Sequence, residues 1–244
     1  MADADPGLGG LAPREDAGGS TITQPEYLTL EEYAYQTLRR AVVRGELPAG
    51  RAITLQQLEA QMGVSRTPIR QAIRRLAEGG FVAILPNRSM RVEELRIEDA
   101  HELYSIRRLM EGYAIVESIR QMTDDHRDLV CRTLDASEGS YSGDEPWRVL
   151  SAYRAFHRAL YGACGFPRLI AMIDDLVEQC ERYRWTELVG ALDIEESRAQ
   201  HRELARSAAE GDGDRAAEVL RAHLELAEDA VAQTLTSTQH PGGE

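Results

Sequence analysis

Between Thr54 and Gly80 the residues that start and stop helices alternate so closely that only two short helices joined by a tight turn fit. Thr54 can cap a helix carrying Leu55, Leu58 and Met62 on one face, which stops at Gly63. Ser65 can cap a second helix, whose Ile69, Ile73 and Leu76 recur at helical spacing until Gly79-Gly80 ends it. Upstream, Thr29 and Glu32 offer a capping box for a helix with Tyr33, Leu38 and Val42 inward, closed by Gly45 and Leu47-Pro48-Ala49-Gly50. Downstream, two strand-like runs (81–85 and 90–95) flank Pro86-Asn87-Arg88-Ser89, which has turn composition. Helix, short helix, tight turn, helix, hairpin is the order of a winged helix-turn-helix.

The charge agrees with that order once it is read locally. The chain carries a net charge of -13, which by itself argues against nucleic acid. Residues 36–92, however, hold ten arginines against three acids, and residues 96–244 hold 17 arginines against 29 acids. A basic module joined to an acidic one suits phosphate attraction by the first and a separate task for the second. All 28 basic residues are arginine, which reads as coding bias.

After Arg96 the pattern is helical throughout, with stretches near 97–122, 124–139, 145–163, 166–188, 193–210 and 213–236. Six amphipathic helices make a helical bundle. The fold class expected is mainly α: a tail over 1–28, a winged helix-turn-helix over 29–95, a helical domain over 96–237 and a tail over 238–244. No run approaches about 20 apolar residues, so no membrane span is expected. Acids at Asp3, Asp5, Glu15 and Asp16 are unlike a signal peptide, and Cys131, Cys164 and Cys180 show no CxxC spacing. The expected compartment is the cytoplasm, with reduced thiols.

Ser65, Arg66 and Thr67 fall at the start of the second short helix, where free amides and the helix dipole favour a phosphate. Arg66 and Arg70 share a face opposite the Ile69/Ile73/Leu76 stripe. That face can enter a major groove, where arginine pairs bidentately with guanine. Arg88 at the hairpin tip is placed for a minor groove or the backbone, whereas Arg74 and Arg75 read equally as salt-bridge partners.

Leu47-Pro-Ala-Gly50, Leu58, Gly63-Val-Ser-Arg-Thr-Pro-Ile-Arg-Gln-Ala-Ile73 and Pro86-Asn-Arg-Ser89 resemble the GntR family of repressors. The resemblance implies that Arg66, Thr67 and Arg70 read operator DNA with Arg88 in the wing. Gln56 replaces an arginine that contacts DNA in some members, and Ser89 replaces the usual wing glycine.

In the helical region His157, His201 and His223 fall on three different helices, a pattern open between separate histidines and a shared metal site. Arg107 with Glu111, Phe156-His157, Ser197-Arg-Ala-Gln-His201 and His223 resemble the FCD type of effector domain, and six helices resemble its VanR-like subgroup. The resemblance implies that the three histidines ligate a divalent ion, zinc or nickel, with Tyr153 standing where an aspartate ligand is usual. Arg107 is expected to clamp a carboxylate effector or to pair with Glu111, and Tyr153 to border the effector. Arg154 is a weaker candidate, and His101, His126 and His240 read as surface residues. Trp147, Trp185 and Phe166 read as core or dimer-interface residues. The function expected is a homodimeric, ligand-responsive regulator, a repressor of operator DNA, in which an organic acid shifts the populations of two arrangements. The alternatives are the same regulator with a metal-free organic or acyl pocket and, remotely, a three-histidine metal enzyme.

Overall fold

The computed structural model of the chain describes residues 28–86, 89–140, 146–189 and 194–239. Most of both expected tails, and Arg88 and His240, lie outside the described residues. The N-terminal unit holds α1 (Leu30–Val43), β1 (Ala52–Thr54), α2 (Leu55–Met62), α3 (Arg66–Glu78), β2 (Val82–Ile84) and β3 (Ser89–Val92). Ile69, Ile73 and Leu76 of α3 are buried against Leu38 and Val42 of α1 and Leu58 of α2. Burying each large aliphatic side chain stabilises the unit by about 1.5–3 kcal/mol before entropy is counted. Gly63 closes α2 at φ 66°, a left-handed conformation that glycine adopts without a Cβ clash.

Several local expectations change. Tyr33 is 43% exposed because the inward stripe of α1 runs one residue later, through Ala34, Leu38 and Val42. Thr29 accepts a hydrogen bond from the Glu32 N–H, while the Glu32 carboxylate meets Arg75 of α3 at 2.7 Å. The reciprocal box forms instead at Thr54 and Gln57. Ser65 is the N-cap of α3 without a side-chain capping bond. One reason is visible in the sequence: the third helical position is Pro68, which has no N–H to donate. The strand β1 was not anticipated, since three residues show no period. It pairs antiparallel with β3, placing Ile53 opposite Met90, to give sheet order β1-β3-β2.

The C-terminal unit contains α4 (Ile97–Gln121), α5 (Asp124–Ser140), α6 (Pro146–Tyr161), α7 (Pro167–Val189), α8 (Ile194–Glu210) and α9 (Gly213–Gln239), close to the expected spans. The helix α4 packs against α6, α7 and α9, with Tyr104, Ile115 and Ile119 buried among Phe156, Leu160 and Leu224. No described helix is long and apolar enough to cross a membrane.

The two units meet along α1 and α7. Trp147 and Trp185, from α6 and α7, pack against the core of the N-terminal unit. The Arg40 guanidinium lies 5.5 Å from the Trp147 ring and that of Arg44 5.7 Å from Trp185. Arg39 forms ion pairs with Glu178 and Glu181, and Tyr35 donates to Glu178. Both tryptophans therefore lie at the junction between the units.

Candidate functional site

At the N-cap and on the outer face of α3, Ser65, Arg66, Thr67, Arg70 and Arg74 are all exposed, opposite the buried Ile69/Ile73/Leu76 stripe. Arg66 Nε donates to Glu59 of α2 at 2.7 Å while its side chain stays 61% exposed. Arg70 and Arg74 form no ion pair among the described residues. Arg75 is placed differently: it pairs with Glu32 and sits 3.7 Å above the Tyr35 ring, so it ties α3 to α1. Not every arginine of the basic island faces solvent, since Arg39 is turned inward onto α7. The charge available to a phosphate is smaller than counting suggested.

In the helical unit the three histidines come together. His157 on α6, His201 on α8 and His223 on α9 are all buried. Nε2 of His201 lies 3.2 Å from Nε2 of His157 and 3.3 Å from Nε2 of His223. One ligand atom from each lies within 4.8 Å of the others. The edge of a tetrahedron around an ion with bonds of 2.0–2.1 Å is roughly 3.3–3.4 Å, so the two short separations suit shared coordination. Nδ1 of His223 faces Oε1 of Gln200 at 3.0 Å. Donation to Gln200 leaves the lone pair of His223 on Nε2, pointing into the cluster. Nδ1 of His157 is buried with no hydrogen-bond partner among the described residues.

Burial, the His201 neighbour and the Arg107 and Arg184 charges hold the His157 imidazole far below its ordinary pKa. Burial, with a smaller push from Arg184, takes His201 down to about 3. Burial and the two other rings depress His223 in the same way. All three are neutral at pH 7, the state in which imidazole offers a lone pair to a metal.

Beside the cluster is a cavity of about 40 Å³, bordered by Arg107, Tyr153, Arg154, His157, Glu181 and Arg184 among others. Arg107 forms the expected pair with Glu111, its Nε 2.6 Å from Oε1 of that fully buried residue, and it also lines the cavity. Tyr153 stacks parallel to His157 and meets His201 edge-on, its hydroxyl 2.7 Å from Oγ of Ser197. Arg154 joins the wall while pairing with Glu181 at 3.2 Å. Arg184, whose guanidinium lies 5.0 Å from the Tyr153 ring, was missed. The missing signal was on α7, where Val177, Cys180, Glu181 and Arg184 are spaced as one helix face yet carry two charges. Among the remaining histidines His101 pairs with Glu228 at 2.5 Å, and His126 lies 2.8 Å from the Thr123 hydroxyl. Phe166 is 42% exposed and stacks on Tyr113, outside any core.

The family described as bacterial regulatory proteins, gntR family, matches residues 30–92, and the FCD domain matches residues 102–226. The chain belongs to the GntR family, with an FCD domain. Among the relatives of this GntR chain, an HTH-type transcriptional regulator in an unstable DNA locus of Streptomyces ambofaciens is 30% identical over 205 residues, 81% of this chain and 83% of that one. The HTH-type transcriptional repressor GlaR of Escherichia coli is 23% identical over 200 residues, 78% of this chain and 90% of that one. The solved structure of E. coli McbR/YncC superposes with a TM-score of 0.72 at 20% identity, over 87% of this chain and all of the other, and so supports the fold alone. The relatives are transcriptional regulators, and this GntR chain is a DNA-binding regulator of transcription, not an enzyme.

Proposed function

We propose that this GntR-family chain is a homodimeric, cytoplasmic repressor whose FCD domain binds a small carboxylate metabolite at a divalent ion held by His157, His201 and His223. The observation that carries this reading is the convergence of three buried, neutral imidazoles beside a cavity bordered by Arg107, Arg154 and Arg184. Zinc or nickel suits an all-imidazole donor set, and when bound it would supply a Lewis-acidic anchor for a carboxylate oxygen. Gln200 holds the tautomer of His223, while Nδ1 of His157 is left to donate to a further group. Arg154 and Arg184 supply positive charge toward an anion, and Tyr153 closes one side of the histidine cluster. Tyr153 occupies the position of the aspartate expected in metal-containing relatives, so the first coordination sphere depends more heavily on the histidines.

Ser65, Arg66, Thr67 and Arg70 are proposed to contact the operator, with Arg88 from the wing. The dimer reading is supported by an exposed apolar patch, in which Leu109 and Tyr113 stand one turn apart on α4 and Phe166 stacks on Tyr113. Elemental analysis of chain purified without chelator, beside His201→Ala, tests the metal. Zinc or nickel near one per chain in the parent and lost in the variant supports the site. Metal-free parent chain overturns it and leaves the three rings as a hydrogen-bonded cluster in a metal-free pocket.

A further inference from the structure

The wall of the effector cavity and the surface that docks the DNA reader share a residue. Glu181 borders the cavity and pairs there with Arg154 at 3.2 Å. The same carboxylate also pairs with Arg39, which belongs to α1 of the reader. One turn earlier on α7, Glu178 pairs with Arg39 at 2.7 Å, accepts from the Tyr35 hydroxyl, and lies 4.0 Å from Arg154. Two guanidinium groups therefore balance two carboxylates across the junction between the units. Burial is uneven: the side chains of Arg39 and Glu181 are each 10% exposed and that of Arg154 35%.

We infer that Glu181 is the positioning residue that reports the state of the cavity to the DNA reader, by way of Arg154 on one side and Arg39 on the other. The inference rests on the proposal that an anion enters this cavity. With only about 40 Å³ of open space, an entering molecule has to displace wall side chains. Arg107 is buried and committed to Glu111, whereas Arg154 is the more exposed cation. An anion that takes Arg154 leaves Arg39 alone against two carboxylates in a largely dry interface. A buried carboxylate that has lost a partner is costly, and the strain is relieved when α1 lifts from α7 and water reaches Glu178 and Glu181. The reader then changes its angle to the FCD domain, which alters the fit of paired recognition helices to DNA.

The test uses the full chain without added effector, so it stands apart from metal content and from the identity of the anion. The two tryptophans of the chain, Trp147 and Trp185, both pack on the reader core, so their emission reads the junction directly. Arg154→Ala mimics withdrawal of that guanidinium and is expected to shift emission to the red and to speed amide exchange in α1. Adding Glu181→Gln removes the surplus charge and is expected to restore the parent emission and exchange. Arg158→Ala, whose partner is Asp174 on the same pair of helices, is the matched control and is expected to change neither. Parent-like emission and exchange in Arg154→Ala would overturn the inference. So would a red shift, or a faster amide exchange in α1, that persists in the double variant.

Discussion

Nε2 of His157 stands 3.2 Å from Nε2 of His201, although 44 residues separate the two in the chain. Neither ring can be charged there at neutral pH, because burial holds both far below the ordinary histidine range. Two neutral imidazoles at that separation share either a proton or a metal ion. His201→Ala is expected to lower zinc or nickel affinity by far more than the 10–100-fold typical of outer-shell changes, and Gln200→Ala by about 10–100-fold. Competition with a metal-binding dye on chelator-stripped chain measures both, and equal affinities across the three proteins would remove the metal from the site.

Acid is expected to destabilise the metal-stripped chain. The unfolded histidines bind a proton near pH 6.5, whereas folded His201 does so only at about pH 3. Between these values the unfolded state holds more protons, so stability rises with pH and is lost progressively as pH falls below about 6.5. Each such group contributes about 1.4 kcal/mol per pH unit within its window. Urea midpoints at several pH values in excess chelator read the slope. His201→Gln is expected to flatten it, and a slope identical to that of the parent would show that the ring titrates freely.

Arg66→Ala and Arg70→Ala are each expected to weaken specific operator binding by about 1–3 kcal/mol. DNA fragments recovered by the chain itself supply the probe, titrated at one salt concentration. Arg66 has to exchange Glu59 for the DNA, so Glu59→Gln is expected to tighten binding modestly and steepen its salt dependence. Arg75→Ala is expected to act on stability instead, since that guanidinium is held by Glu32 and Tyr35.

Arg107 and Glu111 form a buried pair, and Glu111 is wholly inaccessible. Arg107→Ala leaves that carboxylate without its partner and is expected to cost about 3–5 kcal/mol of stability. Adding Glu111→Gln removes the stranded charge and is expected to recover a large part of the loss. Chemical denaturation of the two variants beside the parent measures it. Additive losses would mean that the pair acts through separate contacts.

How much of this was legible beforehand differs from residue to residue. The α3 stripe of Ile69, Ile73 and Leu76 was readable because helical periodicity is a local property of the chain. The six helix spans after Arg96 were readable for the same reason, their breaks marked by glycine and proline. The Tyr33 error was also local, a shift of one residue in a stripe that Ala34 fills. The strand β1 escaped because it exists only through its pairing with β3. Arg184, Glu181 and the two tryptophans escaped because a charged or aromatic residue on a helix does not say which neighbour it will meet.

By itself the sequence determined the kind of every described element except β1, the contrast between a basic N-terminal and an acidic helical region, and the exposed arginine face of α3. All of these follow from short-range spacing, capping and local charge. Only the tertiary structure decided that three histidines on α6, α8 and α9 converge, that Arg39 of the basic stretch turns to a junction with Glu178 and Glu181, and that Arg154 borders the cavity and that junction together. Those relationships depend on how helices distant in the chain are laid beside one another, and helix packing is set by the joint burial of many side chains, not by any one segment.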